Sequence, residues 1–461
     1  MLATRRGWGA RGCLQIALLL GAAVLWASRQ SFSEAATAEP PPAAVSAERS
    51  LVWGPGLRAE ATLPVRYFWL QAVGSDGRNF TRSPPGNAQF EVKIKPISPK
   101  EVVQIHVPKF LDRNDGSFLM RYRLYGSVKE GLKVEILYGG AHVAESPYIL
   151  KGPVYHEYCE CPEEDAQIWE KSLSCPSEHP QIIEDFAMFP SIDLQRMFDE
   201  VPPRFAQKMG AIVHYTVIGN HIYRRSLGKY TDFKMFSDEM LLSLARKVHL
   251  PDVEFYLNVA DWPVEHRKAN DTPGPLPILS WCGSMDSADL VLPTYDVTHS
   301  TLETLRGVTN DLLSIQGNTG PAWDNKTEQG FFRGRDSREE RLQLAQLSKE
   351  NPELLDAGIT GYFFFREKEA ELGKAPLMGF FDFFKENDEE VRKIAKEGQA
   401  AARELLQPHR LYCYYFKVFQ KYAERQAGRP EIRDRMEFVP QPDDRTSACS
   451  CHRKKPSKEE L

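Results

Sequence analysis

The sequence lacks the short motifs that identify many phosphate-binding and hydrolytic enzymes. It contains no Gly-x-x-x-x-Gly-Lys-Ser/Thr loop, no His-Glu-x-x-His and no Gly-x-Ser-x-Gly, and its one Gly-x-Gly-x-x-Gly, Gly7–Gly12, lies among the N-terminal arginines rather than after a strand. No two aspartates stand two positions apart, so the Asp-x-Asp metal clamp is missing as well. Any phosphate chemistry must therefore depend on arginine side chains and helix termini, and we expect neither a metal ion nor another cofactor.

The composition also lacks extremes. The 58 basic and 63 acidic residues leave a net charge of −5, which argues against a large nucleic-acid surface. Hydrophobic residues at 42% and charged residues at 26% are close to globular averages, so disordered, collagen-like and mainly membrane-embedded proteins are excluded. A chain of 461 residues is too long for one ordinary core, and two or three domains are expected.

The N-terminus has the pattern of a secretory signal peptide. Three arginines, Arg5, Arg6 and Arg11, precede the apolar run Leu14–Trp26, and small residues follow it. That run of 13 residues is shorter than the roughly 20 needed to span a bilayer. We therefore predict a cleaved signal over residues 1–28, with a short membrane anchor as the alternative. No later stretch has 18 uninterrupted apolar residues, so no membrane span is expected in the mature chain.

The other end and the glycosylation triplets fit the same route. The last four residues, Lys-Glu-Glu-Leu, resemble the retrieval signal of lumenal proteins. Together with the signal peptide they predict the lumen of the endoplasmic reticulum and an ER retrieval receptor as a partner. Asn79, Asn270 and Asn325 each begin an Asn-x-Ser/Thr triplet and are candidate glycosylation sites.

The cysteines predict a disulfide framework. Cys159, Cys161 and Cys175 lie close together, and we expect this set, with distant Cys413, to fasten a C-terminal helix to the start of the second domain. A zinc site is the alternative interpretation, but the two Cys-x-x-Cys pairs of a strong zinc motif are absent.

Patterning divides the mature chain into a linker, two domains and a tail. Residues 29–50 are small, polar and proline-rich, as in a linker. Residues 51–153 are short alternating segments with frequent turn signals, which predicts a β-sandwich. Its Gly54–Leu57, Asp115–Ser117 and Ser146-Pro147 segments resemble those of filamin-type immunoglobulin-like repeats. Residues 154–440 alternate apolar strands with amphipathic helices, which predicts a mainly parallel sheet, in two lobes. Residues 441–461 form a polar tail.

One segment of the second domain could bind a diphosphate. Phe331–Gly334 leads from a strand into a glycine turn, and Ser337 with Glu340 forms a capping-box pattern at the start of a helix. Free amides, the positive helix end and Arg341 would together make a metal-free cradle. Spacing alone favours the alternative, a capped surface helix with solvated arginines.

A second segment could supply a general base. Asp261 ends an apolar strand, where open α/β sheets place ligands, and Trp262 could offer an apolar platform. A carboxylate there could accept the proton of an attacking hydroxyl. The alternative interpretation, a turn-forming aspartate before a proline, is favoured by residue type alone.

Longer strings identify the family that the chain resembles. Val253–Pro263, Ser280–Ser284 with Asp289–Pro293, Gly330–Gly334 with Arg341, and Leu411–Cys413 are together similar to the protein O-glucosyltransferases. These belong to the capsule-associated, lipopolysaccharide-modifying glycosyltransferases. The sandwich and the Lys-Glu-Glu-Leu end resemble the KDEL-motif-containing branch. The likeness covers nearly the whole chain.

The resemblance implies a GT-B-like fold of two Rossmann-like lobes following a filamin-type sandwich. It implies inverting transfer of glucose, or possibly xylose, from a UDP-sugar to serine in EGF-like repeats. Asp261 then matches the catalytic base, and Arg341 and Arg335, beside Ser337, match donor-binding positions. The segment in which relatives contact the acceptor matches Pro293, Thr294, Tyr295 and Asp296. Trp262 is a further candidate acceptor contact.

The chain departs from that family at one place. Relatives carry a few dozen further residues, with a donor-contacting arginine, after the segment that matches Met378–Lys385. Here Lys385 runs directly into Glu386 and the next helix. An internal deletion at 385/386 would remove part of the donor site. The alternative function is therefore a catalytically inactive lumenal isoform that binds EGF-like repeats.

Overall fold

A computed structural model describes residues 44–86, 89–207, 210–267, 274–302, 323–376, 388–442, 449 and 451. These residues form two compact units, a larger one within residues 1–318 and 405–461 and a smaller one within residues 319–404. Several predicted features lie outside the described residues, among them the signal peptide, most of the linker, the junction at 385/386 and the Lys-Glu-Glu-Leu end. Within the described ranges, no helix combines the length and the apolar character needed to cross a bilayer.

The larger unit begins with a sandwich of nine antiparallel strands. They are β1 (Leu51–Trp53), β2 (Arg66–Gln71), β3 (Phe90–Pro96), β4 (Ile105–His106), β5 (Leu111–Asp112), β6 (Ser117–Leu124), β7 (Gly131–Tyr138), β8 (Ala141–His142) and β9 (Tyr148–Lys151). One sheet has the order β1-β2-β6-β4 with β5 beside β6, and the other has β3-β7-β8 with β9 beside β7. In β7, Leu132, Val134 and Ile136 are fully buried while the residues between them face outward. Alternate side chains of the strand thus point into the sandwich core, as the alternating sequence pattern predicts.

The α/β part of the larger unit contains a six-stranded sheet and a small parallel pair. Its strands are β10 (Ile192–Asp193), β11 (Ile212–Ile218), β12 (His221–Leu227), β13 (Val253–Asn258), β14 (Leu279–Ser280), β15 (Leu290–Val291), β18 (Gln426–Ala427) and β19 (Glu437–Phe438). The main sheet has the order β15-β14-β13-β11-β12-β19, and β10 pairs with β18. Only β13, β14 and β15 run parallel within it.

The prediction of a mainly parallel sheet is therefore wrong here. Strands β11 and β12 form a hairpin around Gly219 and Asn220, whose φ angles are +56° and +64°. A two-residue turn with both central residues at positive φ matches the twist of antiparallel strands. The Gly-Asn pair between two apolar runs is the sequence signal that indicates this hairpin.

Helices cover this sheet and complete the larger unit. They are α1 (Ala166–Leu173), α2 (Pro180–Phe186), α3 (Leu194–Phe205), α4 (Lys234–Ala245), α5 (Tyr295–Leu302) and α9 (Pro408–Arg425). Helix α9 begins at Pro408. Proline is well tolerated in the first helical turn because its missing N–H would have no intrahelical partner. Ten side chains of α9 are buried, so this helix is central to the core.

The smaller unit is built on a single β-α-β motif. Strands β16 (Gly330–Arg335) and β17 (Leu355–Gly361) pair in parallel, and α6 (Glu339–Glu350) connects them. Two further helices follow, α7 (Glu369–Leu372) and α8 (Asp388–Leu405). Over the residues described in this unit, the sheet has two strands, so a second doubly wound lobe is not seen there.

The sandwich packs directly on the α/β part, and one hydrophobic core extends through both. The Tyr67 hydroxyl forms a hydrogen bond with Nδ1 of His409 at 2.5 Å, and both side chains are buried. Nη1 of Arg58 donates to the carbonyl oxygens of Lys171 and Ser172 at 2.7 and 2.8 Å, at the C-terminal end of α1. These contacts fix the two domains to each other, because they join strand β2 and the adjoining loop to two helices of the α/β part.

This boundary predicts a pH dependence of stability. Burial, with Arg410 and Arg58 nearby, lowers the pKa of His409 from 6.5 to about 3. Below pH 6.5 His409 is protonated in the unfolded chain but stays neutral in the folded chain. The free energy of unfolding is therefore unaffected by His409 above pH 6.5 and falls as the pH is lowered below that value. Each pH unit below 6.5 removes about 1.4 kcal/mol, hence about 2 kcal/mol between pH 7 and 5.

Thermal unfolding of wild type and His409→Asn at pH 7 and pH 5 measures this contribution. The comparison is needed because burial raises the pKa of Asp185 to about 6, which acts in the opposite direction over the same range. Asparagine keeps a hydrogen-bond acceptor for Tyr67 and does not titrate. We expect acidification to destabilise wild type more than the variant, and equal pH responses would contradict the assignment.

Candidate functional site

Asp261 lies at the carboxyl end of the parallel part of the main sheet. Strand β13 is buried along its whole length and ends at Asn258, and the chain turns outward immediately after it. Asp261 is exposed, and Trp262 beside it is 64% exposed. The described residues give the Asp261 carboxylate no hydrogen bond or ion pair, so it is available to a ligand.

A buried polar network holds the Asp261 loop in place. Nδ2 of Asn258 donates to the Trp262 carbonyl at 2.7 Å and to Oγ of Ser280 at 3.1 Å. The carboxylate of Asp289 accepts from the Ser280 hydroxyl and from the amides of Val264 and Glu265 at 3.0 and 2.9 Å. Asn258, Ser280 and Asp289 are each at most 3% exposed. They lie on or beside three neighbouring strands, so the loop geometry is set by the sheet itself.

The predicted acceptor segment follows β15 on the same edge of the sheet. Because β13, β14 and β15 run parallel, Asp261 and the segment from Pro293 to Asp296 both leave the sheet at its carboxyl end. The Tyr295 ring packs against Trp281 and Phe236 with ring centroids 5.0 and 4.8 Å apart. The Pro293 carbonyl accepts a hydrogen bond from Tyr415 in α9. For Asp296 the structure describes the backbone in α5 but not the side chain.

The predicted donor residues lie together in the smaller unit. Nη1 of Arg341, in α6, donates to the carbonyl oxygen of Arg335 at 3.1 Å, and its guanidinium lies 5.8 Å from the ring centre of Phe332. Arg335 is exposed at the carboxyl end of β16. The Arg335 guanidinium lies 5.4 Å from the ring centre of Phe363. Arg341 is in the first turn of α6, and a guanidinium group beside a helix start suits a phosphate group.

Ser337 does not form the predicted capping box. Helix α6 begins at Glu339 with Arg338 as its N-cap, and no side chain caps it. Asp336, which the sequence did not single out, instead fixes the backbone after β17. It is fully buried and accepts the amide protons of Phe363, Phe364 and Phe365.

Asp336 also explains where β17 ends. Strand β17 stops at Gly361 because the amides that follow bind the Asp336 carboxylate. Burial favours the neutral acid, yet hydrogen bonds from Phe365, Phe363 and Phe364 outweigh it and lower the pKa of Asp336. Its position directly after the Gly334-Arg335 turn is the signal that could have indicated this role.

Three disulfides join pairs of cysteines that the structure describes in the larger unit. Cys175 pairs with Cys413 of α9, as a staple between α9 and the segment after α1. Cys159 pairs with Cys449, and Cys161 pairs with Cys451. The expected set did not include the last two cysteines. Sulfur atoms of Cys159, Cys161 and Cys449 are close enough for a metal site, but these residues are in disulfides.

Two of the three glycosylation triplets lie in described regions. Asn79, in the sandwich, and Asn325, in the smaller unit, are both exposed. Asn270 lies outside the described residues. Glycosylation at these positions stays a prediction, with exposure as its structural requirement.

Comparison with protein families identifies both parts of the chain. Residues 44–149 match the model for the filamin/ABP280 repeat, which agrees with the nine-stranded sandwich. Residues 170–381 and 375–459 match the model for glycosyl transferase family 90. The fold and its two-part match thus define a glycosyltransferase preceded by a filamin-type domain.

The curated relatives extend over most of the chain. It is 64% identical to "Protein O-glucosyltransferase 3" of Homo sapiens over 91% of this chain and 96% of that protein. It is 65% identical to the protein of the same name from Rattus norvegicus over 91% and 95%. It is 42% identical to "Protein O-glucosyltransferase 2" of Danio rerio over 89% and 94%. The chain belongs to glycosyl transferase family 90.

Proposed function

We propose that the protein is an inverting protein O-glucosyltransferase that moves glucose or xylose from a UDP-sugar to serine. The observation that carries this proposal is the 64% identity to a protein O-glucosyltransferase over 96% of that relative's length. The exposed Asp261 carboxylate on a rigidly held loop fits the base that such a reaction requires.

The reaction follows from the chemistry of the acceptor. Asp261 removes the proton of the serine hydroxyl while the serine oxygen forms a bond to the anomeric carbon. The bond from that carbon to the diphosphate breaks, and its electron pair leaves with UDP. Attack opposite the leaving group inverts the anomeric configuration. A general base of this kind accelerates transfer by about 10²–10⁴-fold.

The departing diphosphate would be held by arginine side chains. Arg341 and Arg335 are the candidate groups, with the N-terminal end of α6 beside Ser337. Guanidinium groups form charge-assisted, paired hydrogen bonds with phosphate oxygens, so this scheme needs no metal ion. It assumes a GT-B-like crevice between two Rossmann-like lobes.

The acceptor and the location complete the proposal. The acceptor is a folded EGF-like repeat, bound at Trp262 and along the segment from Pro293 to Asp296. Trp262 supports this because a large aromatic side chain that is 64% exposed is suited to a protein or sugar contact. The site of action is the lumen of the endoplasmic reticulum, with return by a retrieval receptor.

Incubation of the purified chain with labelled UDP-glucose and a folded EGF-like repeat tests the proposal. We expect one hexose on the repeat, detected by intact mass, and release of UDP. Unfolded, reduced repeat is the matched control for acceptor recognition. Absence of both hexose transfer and UDP release would contradict the proposed activity.

Asp289→Asn tests whether the buried network positions the base. An asparagine has one carbonyl oxygen, so it cannot accept from Ser280, Val264 and Glu265 as the carboxylate does. We expect kcat to fall about 10- to 100-fold with little change in the KM for UDP-glucose, because the donor site is not altered. A variant with wild-type kcat would show that the network is structural only.

A second function, binding without catalysis, is favoured by the apparent interruption at 385/386. The alignment to the human relative extends over 486 positions, more than this chain's 461 residues, so the relative contains residues that this chain lacks. The match to the transferase family is also divided, near residues 375–381. In α8, Ile394 and Leu405 are 61% and 56% exposed, as expected for a helix without its full packing partner.

Calorimetry separates the two functions. A complete donor site binds UDP-glucose, whereas an inactive isoform with part of that site missing would bind the folded EGF-like repeat alone. Titration of each ligand into the same preparation gives the answer. Binding of UDP-glucose that Arg341→Gln abolishes would contradict the inactive-isoform function.

A further inference from the structure

A cavity lies at the boundary between the sandwich and the α/β part of the larger unit. Its volume is about 380 Å³, within the range of small-molecule sites. Six side chains define its character: Trp53, Trp69, Arg58, Arg113, His409 and Arg410. None of the described residues that line it is acidic. Its lining contains none of Asp261, Arg335 and Arg341.

The charge in this cavity is positive and fixed. Nη1 of Arg58 is held by the Lys171 and Ser172 carbonyls and by the Ser174 hydroxyl, at 2.7, 2.8 and 2.9 Å. Those oxygens orient the guanidinium but do not neutralise it. Nε of Arg410 is buried and finds no hydrogen-bond partner in the part of the chain that the structure describes. The guanidinium groups of Arg58 and Arg410 face one cavity and repel each other, and a bound anion would relieve that repulsion.

The first turn of α9 adds to this field. Arg410 lies in that turn of an 18-residue helix, whose N-terminal end bears partial positive charge. His409 beside it stays neutral because burial and the neighbouring arginines lower its pKa. The helix end and the guanidinium groups of two domains thus converge on one space, and oxygen atoms of a phosphate group suit both.

An aromatic wall completes the cavity. The Trp53 and Trp69 rings stack with centroids 6.2 Å apart and an interplanar angle of 22°. Trp69 is buried, whereas Trp53 is 46% exposed and can receive a planar group on its open surface. A single carboxylate could not contact both Arg58 and Arg410 and would leave the open face of Trp53 unused. A diphosphate attached to a planar base uses both features.

We propose that this cavity binds a nucleoside diphosphate, with the phosphates among Arg58, Arg113 and Arg410 and the base on Trp53. Bound there, the nucleotide joins the sandwich to the α/β part. Stacking on a tryptophan is tolerant of base identity, so ADP and UDP bind within a few-fold of each other. The proposal does not depend on the transferase activity.

Isothermal titration of the full chain with ADP is the test. We expect one site, at least tenfold weaker binding in Arg410→Gln, and weaker binding in Trp53→Ala. Arg435→Gln is the matched control, since it removes one positive charge from an exposed side chain outside the cavity. Arg341→Gln separates this site from the proposed donor site and should leave ADP binding unchanged.

Each other outcome overturns the proposal. No ADP binding, or equal affinity in wild type, Arg410→Gln and Trp53→Ala, removes the nucleotide from this cavity. If inorganic phosphate binds as tightly as ADP, the cavity is an anion site that does not recognise the nucleoside. Hexaglutamate binding in place of ADP would assign it to an acidic polypeptide. Trp53 is half-exposed, so Trp53→Ala keeps the test valid if Arg410→Gln does not fold. Failure of glucose transfer would leave the ADP result unaffected.

Discussion

Replacing Asp261 by asparagine is expected to lower the rate of glucose transfer by about 10²–10⁴-fold. Asparagine has nearly the same shape but cannot accept the serine proton at neutral pH. The loop is held through the Trp262 carbonyl and the amides of Val264 and Glu265, and the Asp261 side chain takes no part in those bonds. The loss is therefore chemical, with thermal stability unchanged and the affinity for the EGF-like repeat retained. Initial rates of UDP release measure it.

Asp286→Asn is the control for this prediction. Asp286 is an exposed carboxylate between β14 and β15, and the structure gives its side chain no hydrogen bond to another described residue. Removing that charge tests whether a general reduction of negative charge near the sheet edge affects transfer. We expect wild-type rates from Asp286→Asn. Equal rates for Asp261→Asn and wild type would remove Asp261 from the mechanism.

Elements whose cause is local could be predicted from the sequence. The all-buried β13 and its exit into Asp261-Trp262 were predictable because an apolar strand ending in a polar turn is a short-range pattern. Helix α6 was predicted within one residue of its observed start. The hairpin of β11 and β12 was equally local, at Gly219-Asn220, and was missed because the turn signal was not weighed against the α/β rhythm.

Elements that depend on contacts between distant residues could not be predicted. Asn258 and Asp289 join through Ser280 because three parallel strands place them together, and no sequence spacing shows this. Strand β17 ends at Gly361 because Asp336, the residue directly after β16, accepts the amide proton of Phe363. Of the candidate site, the sequence therefore indicated the chemical groups, while the supports that hold them came from tertiary structure.

The partners of Cys159 and Cys161 illustrate the same limit. Both bonds join residues 290 positions apart, so spacing along the chain could not show these pairs. The two bonds are also redundant as cross-links, because each ties the same short segment to the same part of the tail. Removal of Cys161 and Cys451 together should cost little stability, since Cys159–Cys449 still joins those segments.

The Cys175–Cys413 bond is different, and its loss is expected to be large. It ties the buried middle of α9 to the segment after α1, and Cys413 is fully buried. Even when the Cys159–Cys449 bond is intact, the Cys175–Cys413 bond closes an additional loop, which consists of residues 159–175 and 413–449. Removing such a cross-link frees the unfolded chain and lowers the free energy of unfolding by about 2–5 kcal/mol.

The double variant Cys175→Ala/Cys413→Ala tests this, because a single substitution would leave a reactive thiol. The matched control is Cys161→Ala/Cys451→Ala, which removes a disulfide of similar sequence separation. We expect the first variant to unfold at a clearly lower temperature and denaturant concentration than the second. If the two variants lose equal stability, the redundancy argument is wrong. If the first loses none, α9 is held by its ten buried side chains alone.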